Sequence, residues 1–213
     1  PSSSLETMLA SFEQLYNELH DKDYFDNDDI AVVLAKANLM ASSGFTGDAA
    51  LSLGANKDRS RDKTYNNAKM FAEIYRLLGL ISVVNDVSSN YRFTYIGEHM
   101  VVPGADKKAI VEQCILGMNN PNRIMDVSYD ESVRFFSCVL LTMNELDGMI
   151  CRDEMILGPM SVNDNSPEEF DKMIQYIKSV RGNYKKLQND LENLAKSLQS
   201  NKKGGMTVTS VQN

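Results

Sequence analysis

The chain has 213 residues, 43% of them apolar, which is enough to bury one medium core or two small ones. Its formal charge of −7 is local: residues 1–30 hold Glu6, Glu13, Glu18, Asp21, Asp23, Asp26, Asp28 and Asp29 against Lys22 alone, and the rest of the chain sums to zero, so a polyanionic partner is not excluded there. Two histidines, three cysteines without a CxxC pair, no apolar run long enough to span a bilayer and no signal-peptide pattern argue against a membrane protein, a zinc site and a disulfide framework, and for a reducing cytoplasm.

In chain order, apolar residues Leu5, Met8, Leu9, Phe12, Leu15, Tyr16 and Leu19 recur at helical spacing and predict a helix over Ser4–His20. The following "DKDYFDNDD" lacks the Gly and the alternation of an EF-hand loop, and reads as a helix entry for Asp28–Ser42. "SSGFTG" breaks that helix and a short one follows at Asp48–Leu53. Ala68, Phe71, Ala72, Ile74, Tyr75 and Leu78 share one face of a further helix that Gly79 stops. "LISVV" and "YRFTYI" then flank an Asn/Asp/Ser turn as a hairpin. Helices followed by a hairpin define a mainly α fold with small β-hairpins, of the winged-helix variant of helix-turn-helix, placed at 28–104 after an N-terminal helix and acidic segment at 1–27.

Residues 105–165 read as a second, degenerate winged-helix-like unit. One helix carries Val111, Cys114, Ile115 and Met118 and ends at "NNPN"; "SYDE" (Ser128–Glu131) forms a capping box for another carrying Val133, Phe136, Leu140 and Met143; "LDGMICRDEMILG" gives a turn and a short helix. Ser166-Pro167-Glu168-Glu169 is a helix start, and Phe170, Met173, Ile177, Val180, Tyr184, Leu187, Leu191, Leu194 and Leu198 continue in steps of three and four. This is a long heptad-patterned helix over 166–200, either a dimerising coiled coil through 170–198 or a connector lying on another domain, with Gly182 weakening its middle and a flexible tail at 201–213.

The stretch from Lys57 to Arg76 carries six basic residues against three acidic ones, at the head of the helix that precedes the hairpin. In a helix-turn-helix protein that end faces the bases. Lys57, Arg59, Arg61, Lys63, Thr64, Tyr65, Asn66, Asn67 and Lys69 therefore make a candidate DNA-reading set. Arg pairs with guanine and Asn with adenine through two hydrogen bonds, while Lys, Thr and Tyr hold phosphates. Asn90 and Arg92, beside the hairpin turn, are candidate wing contacts. The competing reading is a solvated helix start in which Asp58 and Asp62 pair locally with the arginines.

The run "NKDRSRDKTYNNAKMFAEIYRLLGLISVVNDVSSNYRFTYIGEHMV" resembles the DNA-recognition region of type IIS restriction endonucleases of the FokI kind. There an aromatic and apolar helix ending in "LG-aliphatic" leads to a short hairpin closed by a segment like Phe93-Thr94-Tyr95-Ile96-Gly97. "KKAIVEQCILGMNNPNRIMDVS" resembles the helix and Pro-containing turn that follow, so the similarity spans residues 30–160. The resemblance implies recognition of double-stranded DNA by tandem winged-helix units, with cleavage in a separate nuclease domain or subunit. That domain would use Mg²⁺ held by a PD…(D/E)xK set. "PEEFDK" at Pro167–Lys172 has those letters out of order at a capped helix start, so no cofactor is expected in this chain and it is expected not to cleave alone. A dimeric winged-helix transcription regulator and a protein-interaction module using the C-terminal helix are the alternatives.

Overall fold

The computed structural model describes residues 4–54, 58–85, 87–119 and 133–197, and the chain divides into two compact units, Pro1–Ile115 and Leu116–Asn213. The first contains α1 (Leu5–Leu19), α2 (Asn27–Lys36), α3 (Gly47–Gly54), a 3-10 turn at Arg59–Arg61 and α4 (Lys63–Leu77). An antiparallel hairpin of β1 (Ile81–Val84) and β2 (Val87–Phe93), α5 (Tyr95–Met100) and most of α6 (Lys107–Gly117) complete it. The fold is mainly helical with a small hairpin, as the periodicity predicts.

The local signals act where the sequence puts them. Ser4 caps α1 by accepting from the Thr7 amide, and Asp26 and Asp29 close a reciprocal capping box on α2. Gly79 ends α4 at φ +70°, a conformation that a Cβ disfavours. α2, however, stops at Lys36 rather than Ser42. Asn38 turns left-handed at φ +57°, and the amides of Leu39 and Met40 both return to the Leu34 carbonyl.

The predicted boundary at residue 27 does not separate two bodies. Phe12, Leu15 and Leu19 of α1 are buried, and Phe12 meets Tyr75 of α4 edge-on at 5.0 Å and Phe93 of β2 at 5.7 Å. The Tyr75 hydroxyl donates to the Met8 carbonyl at 3.0 Å. Phe25, in the acidic stretch, exchanges both backbone hydrogen bonds with Tyr91 and so adds a one-residue third strand to the outer edge of β2. The aromatic rings of Tyr16, Phe25 and Phe93 close the cluster. This unit also extends past the expected boundary at 104: Val111 of α6 is buried, and Lys107 pairs with Glu13 at 2.6 Å.

The hairpin turns earlier than its composition suggests. Val84 pairs with Val87, and the register shifts between Val83 and Val84, so Ser88, Ser89 and Asn90 form a bulge in β2 instead of the turn. Thr94 does not continue the strand. It caps α5, accepting from the Gly97 amide, while its hydroxyl donates to the Gly79 carbonyl at 2.6 Å.

The second unit contains α7 (Phe135–Glu145), α8 (Arg152–Leu157), α9 (Pro167–Val180) and α10 (Tyr184–Ser197). Its core joins Val133, Cys138, Leu146, Met173, Ile174 and Ile177. No hairpin occurs among its described residues, and the predicted capping box at Ser128–Glu131 lies outside them. Cys114, Cys138 and Cys151 are all unpaired. Ser166 and Pro167 start α9 as predicted, but the expected long helix is two. Arg181, Gly182 and Asn183 break it, with Gly182 at φ +81°. The heptad positions Met173, Ile177, Val180 and Leu191 are buried inside the unit, α10 lying against α8 and α9, so they serve its own core rather than a continuous dimer seam.

Candidate nucleic-acid interface

α4 is the element that the unit packs around. Thr64, Ala68, Phe71, Ala72 and Tyr75 form its buried face, against α2 and the hairpin. At about 100° per residue the opposite face carries Lys63, Asn66, Lys69, Met70, Glu73 and Ile74, with Asn67 at its edge. Lys63, Met70, Glu73 and Ile74 are exposed, and Asn66 and Asn67 half-exposed. Lys69 is exposed as well. Asp62 caps the helix by accepting from the amides of Thr64 and Tyr65, which offsets the dipole penalty of the basic first turn.

The structure sorts the candidate readers. Lys57 and the side chain of Arg59 lie outside the described residues. Arg61, Lys63 and Lys69 are exposed, and the Lys63 ammonium donates to the Ser43 hydroxyl at 3.2 Å. Thr64 is not a phosphate contact: it is 2% exposed, and its hydroxyl donates to the Ala50 carbonyl of α3. Tyr65 lines a shallow cleft with Asp28, Val32, Leu51 and Asp62, where the two carboxylates disfavour a phosphate. Asn66 and Asn67 each already donate an amide proton within the protein, to the carbonyls of Ser60 at 3.0 Å and Ala41 at 3.3 Å. Each amide has a second proton and a carbonyl oxygen, so an outward contact requires no loss of these bonds.

The expected wing contacts move. Arg92 pairs with Ser82, near the base of the hairpin and far from its turn, while Asn90 is half-exposed in the bulge. Arg92 is exposed. The surface as a whole combines exposed cations with half-used amides along α4 and the 3-10 turn before it, beside a bulged hairpin. Sequence reasoning did not include Met70 and Ile74 in it. Both are apolar residues, and the periodicity assigned Ile74 to the core face although it is 39% exposed.

Among the described residues no three His, Cys, Asp or Glu side chains converge as a metal site, and no helix is long and apolar enough to cross a membrane. No protein-family model, curated protein or solved structure matches the chain.

Proposed function

We propose that the first unit is a winged-helix module that recognises double-stranded DNA, with α4 in the major groove and the β1–β2 hairpin as its wing. The observation that carries the reading is the outward face of α4. Lys63, Asn66 and Asn67 stand at its start, on a helix followed at once by an antiparallel hairpin. In chain order α1, the extended Phe25 and α2 come first, α3 and the 3-10 turn are inserted before α4, and β1 and β2 follow, with Phe25 pairing on the hairpin edge; apart from that insertion the order is that of a winged helix. Cations hold phosphates and set the register, and the amides and Arg61 supply base contacts.

The resemblance set out above extends this reading to the recognition half of a type IIS-like restriction endonuclease. Cleavage then belongs to a separate nuclease domain or subunit with its own Mg²⁺. Recognition by such a module as a monomer gives an asymmetric footprint, whereas a dimeric regulator gives two half-sites about one helical turn apart.

The test is a salt titration of duplex binding after selection from random sequences. Replacing Lys63, Lys69 and Arg92 together by Ala is expected to lower the slope of log K against log salt by up to about 0.9 per lost phosphate contact. A folded wild-type chain that selects no duplex, or a triple variant with an unchanged slope, overturns the assignment.

A further inference from the structure

The outward face of α4 changes character along its length. Its first turn and a half offers Lys63, Asn66 and Asn67; beyond that come Met70, 48% exposed, and Ile74, 39% exposed. Met70 lies four residues after Asn66 and Ile74 four after Met70, so the three follow one ridge of the helix. Isolated apolar side chains on a surface are ordinary. Two in line with the amides and lysine of a proposed reading surface are not isolated, because whatever docks against Lys63 and Asn66 also meets Met70. Glu73, beside this ridge, disfavours a phosphate at that level of the helix.

A major groove offers one apolar feature to such a ridge, the C5-methyl group of a pyrimidine. We infer that Met70 and Ile74 read C5-methyl groups, so that the recognised site contains thymine, or 5-methylcytosine, opposite the middle of α4. The inference rests on the DNA-binding reading above and adds the chemistry of its base contacts. A thioether and a branched alkyl group suit this role, since they exclude water from a methyl without offering a hydrogen bond that another base could use. Discrimination at these positions then comes from buried apolar area, and is gentler than at a base read by two hydrogen bonds.

The experiment uses the full chain and the duplex it selects. Each thymine is replaced in turn by deoxyuridine, which removes only the methyl group, and in separate duplexes each cytosine by 5-methylcytosine. Affinities are measured for the wild type and for Met70→Ala and Ile74→Ala. Both substitutions are at exposed positions and favour helix, so the fold is kept; circular dichroism checks this.

In the wild type, removing one contacted methyl is expected to weaken binding about fourfold, the equivalent of about 0.8 kcal/mol for one buried methylene. At the same position Met70→Ala or Ile74→Ala is expected to abolish the difference between thymine and deoxyuridine. If the natural ligand is 5-methylcytosine, the gain appears instead on methylating a cytosine, and the same variants remove it. Selective duplex binding that is indifferent to every methyl, or a methyl effect unchanged in both variants, overturns this inference alone. Absence of any selected duplex overturns the DNA reading, and this inference with it.

Discussion

At Arg181 one side chain holds three pieces of the second unit. Its guanidinium donates to both carboxylate oxygens of Glu154, at 2.8 and 2.9 Å, and to the carbonyls of Leu146 and Met149. Glu154 is buried and also accepts from the Cys151 amide. The Arg181 hydrogen bonds hold its carboxyl below the usual carboxylate range, against the opposing effect of burial. A depressed carboxyl contributes stability that is present above its unfolded pKa, about 4.3, and lost as pH falls through the folded value. Glu154→Gln is therefore expected to cost about 2 kcal/mol at pH 7, reduced by the partial exposure of Arg181, and less at pH 4, read from urea melts at the two values. An equal cost at both would show that the charge is not the cause. Residue type in the sequence could not reveal such partners. Asn66, Asn67 and Thr64 were equally good readers on paper, and only the positions of the Ser60, Ala41 and Ala50 carbonyls separate them.

At the scale of elements, the signals that the sequence carried plainly were local ones. Ser4, Asp26, Gly79 and the Ser166-Pro167 pair act within a turn or two of themselves, so their chemistry is complete in a short window. The heptad run misled because two helices that both face one core keep the same spacing across a break. Gly182 discriminates between the two arrangements by sign. In a continuous helix Gly182→Ala would stabilise by about 1 kcal/mol; at φ +81° it is expected to destabilise by about as much, without added helix signal in circular dichroism. In the Thr94–Gly97 segment that carried the family resemblance, Thr94 and Gly97 lock α5 against the start of the hairpin, while Tyr95 and Ile96 are exposed. A Cβ on Gly97 would collide with the Leu80 carbonyl, so Gly97→Ala is expected to cost about 1–3 kcal/mol in thermal or urea unfolding by pushing α5 away from β1. A neutral Gly97→Ala would show that α5 is not seated there.

For the whole molecule, each unit has a core of its own, Phe12, Tyr75 and Leu80 in one and Met173, Ile177 and Leu146 in the other. Residues 1–115 alone are expected to unfold in one cooperative step, seen as coincident far-ultraviolet and tyrosine transitions; non-coincident curves would mean that this unit needs the remainder of the chain. The assignment of α1 to this core was not legible, because its partners are remote in sequence and aromatic pairing leaves no periodic mark. That remoteness has a consequence for the chain while it is being made. Met8 and Tyr75 are 67 residues apart; at about 5–20 residues per second the ribosome needs roughly 3–13 s between them. Throughout that interval the apolar stripe of α1 has α2 beside it but lacks the rings of Tyr75 and Phe93, and aggregation threatens a partly covered segment. The eight carboxylates of residues 1–30 are made before α4 and repel a second nascent copy. These charges are expected to keep α1 soluble until α4 and β2 close over it.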